Sequence, residues 1–158
     1  MKNSAFKGFC FGLTSGIITT LGMIVGLHSG TGSKLVVLGG VLSIAIADSF
    51  SDALGIHVSE ESDHSKTEKE VWTATLSTFL SKLAFSSTFI IPILLLSLET
   101  AMFVSIAWGL SILGILSYFI AKSQKTSPLL VVSEHLFIAT VVIVVTHFVG
   151  EWVAVRFG

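Results

Sequence analysis

Apolar residues are gathered into five long runs separated by short polar stretches. Each run reaches about 20 residues, the length that an α-helix rising about 1.5 Å per residue needs to cross a hydrocarbon core of about 30 Å. No run alternates apolar and polar residues as a membrane strand would. The pattern predicts an all-α membrane protein, a single five-helix transmembrane domain over residues 1–158, with spans at approximately 8–28, 35–57, 71–98, 101–121 and 129–155.

Helix-start signals lie between these runs. Thr67 and Glu70 have the spacing of a capping box. Thr100 can cap the fourth span, and Ser127-Pro128 offers an N-cap followed by proline at the first helical position. The connections between spans are therefore expected to be short, with little protein outside the bilayer.

The composition predicts that lipid surrounds most of the chain. Hydrophobic residues make up 52% and charged residues 12%, with a formal net charge of −1. A nucleic-acid partner is therefore not expected. The single cysteine, Cys10, excludes an internal disulfide. No H-E-x-x-H motif or nucleophile–base pair is present, so we expect neither an enzyme nor a tightly bound cofactor.

The lysines predict an orientation, because positive residues favour the cytoplasmic side of a membrane. One side carries Lys2, Lys7, Lys66, Lys69, Lys122 and Lys125, and the other carries Lys34 and Arg156. We expect a cytoplasmic N-terminus and an external C-terminus. The brevity of the chain favours a prokaryotic plasma membrane.

Two carboxylates lie inside the second span. Asp48 and Asp52 are four residues apart and share a helix face. A charge at the centre of a membrane helix costs about 2.5 to 3.5 kcal/mol. The pair should therefore share a proton, hold a metal cation, or pair with Lys82 of the third span. If Lys82 is the partner, one carboxylate is left over, which favours a cation or proton site.

A stripe of imidazole and carboxylate groups follows the second span. His57, Glu61, His64 and Glu68 recur at spacings of four, three and four, with Glu60 beside them. If the second helix continues to Glu68, the spacing suits a metal site. The alternative is a solvated polar face.

The fifth span carries a possible proton-coupling set. Glu134 and His135 lie toward its cytoplasmic end, and His147 and Glu151 form an i, i+4 pair toward its outer end. A histidine can exchange protons near neutral pH. The alternative is a local hydrogen-bonded pair near the membrane interface.

Small residues line the first span. Gly8, Gly12 and Gly16 form overlapping G-x-x-x-G steps, with Ser15 and Thr19 on a neighbouring face. Such spacing is typical of close helix packing. The same face could form the wall of an ion pathway.

Several segments resemble the vacuolar iron transporter (VIT) family of divalent-cation transporters. The residues that carry the resemblance are the 12–21 run GLTSGIITTL, Gly26-Leu27, the 47–55 segment, Ser59-Glu60-Glu61-Ser62, the 77–80 segment and the 89–92 run FIIP. The resemblance implies a homodimer of five-helix protomers with the ion path at the interface, between the first and second helices. It also implies proton-coupled export of Fe²⁺ or Mn²⁺ from the cytosol.

This chain departs from the family pattern at the implied site. Ser15 stands where the family has an aspartate, and Asp52 stands where it has a methionine. The site would therefore be all-oxygen and harder. The cytosolic metal-binding insertion of plant members is missing. In its place, a reduced collecting site is implied, made by Glu60, Glu61, Asp63, His64 and Glu68.

Two functions of different classes follow. In the first, a dimeric divalent-cation transporter holds the ion between Asp48 and Asp52 of both protomers, with Ser15 or Thr19. In the second, a non-transporting packing or metal-sensing module uses Lys82 to neutralise the aspartates. A contact between Lys82 and either aspartate favours the second, and a separate water-filled cavity around Lys82 favours the first.

Overall fold

The computed structural model of the protein describes the backbone of residues 2–158 and the side chains from Asn3 onward. Within this part of the chain it contains helices and no strand. The helices are α1 (Lys2–Thr31), α2 (Lys34–Glu61), α3 (Glu68–Thr88), α4 (Ile90–Leu95), α5 (Leu98–Gln124) and α6 (Pro128–Phe157).

Five helical segments are long and apolar enough to cross a membrane. They are Asn3–Thr31, Lys34–Glu61, Glu68–Leu95, Leu98–Gln124 and Pro128–Phe157. The all-α class and the five candidate spans are confirmed, and by these criteria the protein is a multi-pass integral membrane protein. Each helix runs beyond the predicted apolar segment at one or both ends, because polar residues form its terminal turns.

Two of the three predicted helix starts are confirmed. Both bonds of the capping box at Thr67 are present, and Ser127 precedes α6 with proline in its first turn. The prediction for Thr100 is wrong. Ser97 is the N-cap of α5, because its hydroxyl lies three residues earlier and accepts the Thr100 backbone N–H at 3.4 Å.

The third span is interrupted rather than continuous. α3 ends at Thr88 and α4 begins at Ile90. Proline at position 92 has no backbone N–H to continue the i→i−4 ladder, which weakens the helix just before it. The Phe89 N–H donates instead to the Ser86 carbonyl at 3.3 Å, a tighter turn than the α-helical one.

The chain divides into two compact units. The first contains the residues up to Thr20 together with Val41–Ile90. In it, α1 packs closely on α3 through glycines. A Cβ at Gly8 would collide with the Ala74 carbonyl, and one at Gly12 would collide with the Thr78 carbonyl and the Ser81 hydroxyl.

Hydrogen bonds reinforce this contact. The Thr78 hydroxyl donates to the Gly8 carbonyl at 3.2 Å, and the Ser86 hydroxyl donates to the Gly16 carbonyl at 3.3 Å. The glycines therefore act as the packing face that their spacing predicts.

The second unit contains Leu21–Gly40 and Ile91–Gly158. Here the end of α1 packs on α6, where Gly30 faces the Gly150 carbonyl. Lys34 has a local structural role, since its ammonium donates to the Leu94 and Leu96 carbonyls at 3.2 and 2.9 Å. These carbonyls lie at the end of α4, where helical carbonyls lack intrahelical donors.

Large apolar side chains cover the outside of the helices. In α6 they include Phe137, Phe148 and Trp152, and only Ala139 and Gly150 of that helix are buried. Such a surface is unsuited to water and is consistent with contact with a lipid bilayer.

We expect Gly12→Ala to lower the free energy of unfolding by about 1 to 3 kcal/mol, because a methyl group there pushes α1 away from α3. Gly114→Ala is the matched control, since nothing lies within 4 Å of its added Cβ. It should be neutral or raise stability by up to about 1 kcal/mol. Unfolding followed by tryptophan fluorescence in mixed micelles measures both. Equal effects would contradict the packing role of Gly12.

Candidate ion site in the first unit

Lys82 of α3 is the centre of the candidate site. Its side chain is only 1% exposed, although it carries an ammonium group. The Nζ atom lies 2.5 Å from an oxygen of Asp48 and 2.5 Å from an oxygen of Asp52. It also donates to the Ser15 hydroxyl at 2.9 Å. The structure therefore brings together four of the five residues that the sequence proposed for an ion pathway. The contact of Lys82 with both aspartates is the observation that was expected to favour the non-transporting module.

Helix geometry explains how these groups meet. Asp48 and Asp52 are one turn apart on α2 and extend toward the same point. Gly16 of α1 makes room for Lys82, because a Cβ at Gly16 would lie 3.2 Å from the Lys82 carbonyl and 3.3 Å from its Cγ. Ser15 lies beside this glycine and presents its hydroxyl to the ammonium group.

The two carboxylates are not equivalent. Asp52 accepts a hydrogen bond from Lys82. The Oδ2 atom of Asp48 lies within ion-pair distance of the ammonium, but its angles do not make a hydrogen bond, and no described residue supplies another donor. The distance establishes the attraction between the charges, whereas the angles leave this Oδ2 atom without a hydrogen bond.

Charge counting gives the chemical character of the site. Two carboxylates and one ammonium leave a net charge of −1 when all three are ionised. An uncompensated charge in an apolar interior is costly. The site can therefore accept one more positive charge, as a proton on the carboxylate pair or as a cation.

Thr19 does not join this cluster. Its hydroxyl donates to the Ser15 carbonyl at 2.9 Å, within α1, and no hydrogen bond links it to either carboxylate in the described part of the chain. The structure thus supports Ser15, rather than Thr19, as the hydroxyl beside the charges.

The expected continuation of the second helix to Glu68 is wrong. α2 ends at Glu61, and Glu68 begins α3 after a turn. Local bonds favour the turn, because the Ser65 hydroxyl and backbone N–H both donate to Asp63, at 2.7 and 3.0 Å. His57, Glu61, His64 and Glu68 therefore do not form one helical stripe.

These bonds also affect the charge of the turn. The hydrogen bond from the Ser65 hydroxyl, followed by the one from its backbone N–H, lowers the pKa of Asp63. Because the folded pKa is lowered, the turn contributes stability above the ordinary pKa of an aspartate. That contribution is lost as the pH falls through the lowered value.

The proposed metal-collecting residues are only partly gathered. His57, Glu61 and Glu68 line one cavity of about 350 Å³, together with Lys66. His57 Nδ1 lies 2.9 Å from the Thr75 hydroxyl and its ring packs edge-on against Trp72. Glu60 points inward, only 2% exposed, and pairs with Lys7. Among the described residues, no group of three or more histidine, cysteine or acidic side chains is arranged to hold a metal ion.

The proton-coupling candidates lie in the second unit. His147 Nδ1 is 2.6 Å from the Ser29 hydroxyl, and its Nε2 is 3.5 Å from Glu151, so the i, i+4 contact is present. His135 Nδ1 is 2.7 Å from the Ser117 hydroxyl, whereas the neighbouring Glu134 is exposed. Both histidines thus bind serines of other helices.

Sequence reasoning missed a row of small residues on α2. Every fourth residue is small, and all of them are exposed: Ser43, Ala47, Ser51, Gly55 and Ser59. Nothing lies within 4 Å of a Cβ added at Gly55. The four-residue spacing is visible in the sequence, but the hypotheses for this helix were based on Asp48 and Asp52 of the adjacent face. We call these five residues the α2 small-residue row.

Comparisons with protein-family models, with curated proteins and with solved structures find no match to this chain. The resemblance to the vacuolar iron transporters therefore rests on the sequence segments alone.

We expect Lys82→Met to lower the free energy of unfolding by about 3 to 5 kcal/mol, because it leaves two carboxylates without their cation. Adding Asp52→Asn should restore part of that loss. The control is Lys69→Met in the exposed first turn of the same helix, expected to change stability by no more than about 0.5 kcal/mol. A Lys82→Met protein as stable as the control would contradict the ion-pair geometry.

Proposed function

We propose that the protein is a cation transporter in which Asp48, Asp52 and Lys82 form the exchange site. The observation that carries this proposal is the surplus carboxylate. One aspartate is enough to neutralise Lys82. A second carboxylate inside a membrane helix costs free energy and is not needed to hold the helices together. A bound proton or a transported cation gives it a role.

Charge balance supports coupling to protons. With one proton on the carboxylate pair and a charged Lys82, the site is neutral. With a divalent cation between two ionised carboxylates and a deprotonated Lys82, it is neutral again. Exchanging one divalent cation for two protons therefore avoids an uncompensated charge in either state, and metal binding commonly releases protons from its ligands.

The oxygen-only ligand set favours hard divalent ions. Asp48, Asp52 and Ser15 supply oxygen atoms, which suit Mn²⁺ well and Fe²⁺ acceptably. The resemblance to the iron transporters supports the same class of substrate. It also supports export from the cytosol, and the distribution of lysines supports a cytoplasmic N-terminus.

We further propose a homodimer joined through the α2 small-residue row. Exposed small residues at every fourth position let two helix backbones approach closely in lipid. Asp48 and Asp52 border this row, and their side chains retain 27% and 19% of their exposure. A second copy would cover them and would bring two exchange sites to one interface.

A second function is favoured by a different observation. Lys82 contacts both aspartates, so it neutralises most of their charge without any metal. The chain would then be a non-transporting membrane module, with the charged cluster holding α1, α2 and α3 in register.

Flux measurements separate the two functions. Purified protein in liposomes that contain a metal-quenched dye should admit Mn²⁺ or Fe²⁺ when a pH gradient is imposed. Asp52→Asn should reduce that flux about tenfold or more, because it removes an ionised ligand. Glu99→Gln, at the exposed start of α5, should leave the flux unchanged. Absence of flux for Fe²⁺, Mn²⁺, Co²⁺ and Mg²⁺ in the unmodified protein would reject transport and favour the non-transporting module.

Cysteine cross-linking tests the dimer. In a Cys10→Ser background, Ser51→Cys should form a disulfide-linked dimer in membranes. Close approach of two α2 helices along the row would bring equivalent positions within the Cα separation of about 4.4 to 6.8 Å that a disulfide spans. Ile46→Cys is the control. It is 55% exposed on the same helix but lies outside the row. Equal cross-linking at the two positions would indicate random collision and contradict the proposed interface.

A further inference from the structure

An apolar groove of about 900 Å³ is lined by residues of α5 and α6 in the second unit. Small residues give the groove its depth, because Ser111 and Gly114 lie between larger side chains such as Leu110 and Phe119. Nothing lies within 4 Å of a Cβ added at Gly114. The Ser111 hydroxyl donates to the Ala107 carbonyl at 2.7 Å, so it is not free to donate into the groove. The groove is therefore suited to a hydrocarbon chain.

The length of the groove matches one leaflet of a membrane. Its lining residues on α5 extend from Leu110 to Phe119, which corresponds to a rise of about 14 Å. Half of a hydrocarbon core of about 30 Å is about 15 Å. Leu110 lies near the midpoint of α5, and the helix ends at Gln124, just beyond Phe119. The groove thus extends from the middle of the span toward one membrane surface, as the acyl chain of a single leaflet does.

Positive charge lies at the end of the groove nearer the membrane surface. The Lys122 ammonium is 5.6 Å from the centre of the Tyr118 ring, and Tyr118 lines the groove. Lys125 follows within one turn, and both lysines are exposed. Neither lysine forms an ion pair with a described residue. This end of the groove can therefore accept an anion.

The acidic residue in this part of α6 does not neutralise the groove. Glu134 is two residues from both Val132 and Leu136, which line the groove. Two residues correspond to about 200° around a helix, so Glu134 lies on the opposite side of α6. The charge of the groove end is thus set by Lys122 and Lys125.

We propose that the groove binds an anionic phospholipid, with one acyl chain along α5 and α6 and the phosphate at Lys122 and Lys125. Tyr118 lies between these two parts, where its ring contacts the acyl chain and its hydroxyl can donate to the headgroup. A free anion gains nothing from the apolar groove, and an uncharged apolar molecule gains nothing from the lysines. The inference is independent of the proposed transport, because every residue that carries it lies in the second unit.

Native mass spectrometry of the full chain in detergent, with dioleoyl phosphatidylglycerol and dioleoyl phosphatidylcholine as probes, tests the charge preference. Each lysine beside an anionic lipid contributes about fivefold in affinity, so phosphatidylglycerol should bind about twentyfold more tightly. Lys122→Gln and Lys125→Gln should each lower this ratio about fivefold without changing phosphatidylcholine binding. Lys69→Gln is the matched control, because Lys69 is equally exposed but belongs to α3, and it should keep the ratio.

Filling the groove tests the position of the acyl chain. Gly114→Leu should fold, because the space beside Gly114 is open. It should weaken binding of both lipids about tenfold, the equivalent of about two buried methylene groups. Ala84→Leu is the control, since it adds the same bulk at an exposed position of α3, outside the groove, and it should bind both lipids as the unmodified protein does. The lysine variants change exposed positions and so test the proposal even if Gly114→Leu does not fold.

Three results would overturn the proposal. The first is equal binding of the two lipids by the unmodified protein, and the second is competition by free glycerol phosphate as strong as that by phosphatidylglycerol. The third is a loss of dimers in Gly114→Leu with unchanged lipid binding per chain, because the groove would then be covered by a second copy of the protein.

Discussion

The buried ammonium of Lys82 is the constraint on which the first unit depends. An ammonium with 1% exposure can remain charged only if anions and hydrogen-bond acceptors surround it. Asp48 and Asp52 supply the charge from α2, and Ser15 supplies an oxygen from α1. Three helices must therefore keep one mutual register in this unit, since a shift by a single residue would remove a partner from the ammonium.

Small residues serve the fold in two different ways. On α1, Gly8 and Gly12 pack against α3 of the same chain, so closely that there is no space for a Cβ at either position. The α2 small-residue row has the same spacing but remains open. The spacing alone does not distinguish these cases. What distinguishes them is whether another helix of the same chain occupies the face, and that depends on tertiary contacts.

The features predicted correctly depend on local sequence. Apolar length predicts the spans, and the Thr67–Glu70 spacing predicts the capping box. Two carboxylates inside a membrane helix need compensation, and pairing with Lys82 was one of three predicted alternatives; the structure shows this pairing. The features missed depend on competition between local alternatives. Asp63 can bond to Ser65 or continue the helix, and the turn prevails. Glu60 and Glu61 are chemically identical, but only tertiary packing turns Glu60 inward toward Lys7.

Lys82 also restricts what the proposed exchange site can bind. A divalent cation between Asp48 and Asp52 takes the place of an ammonium that already lies 2.5 Å from both. A monovalent ion that replaces the ammonium leaves the net charge of the site at −1, whereas one that binds beside the ammonium brings it to zero. A divalent ion doubles the attraction to both carboxylates, and release of the lysine proton removes the repulsion that its arrival creates. In the proposed exchange site, the same residue that stabilises the helices would therefore link the binding of a divalent ion to the release of protons.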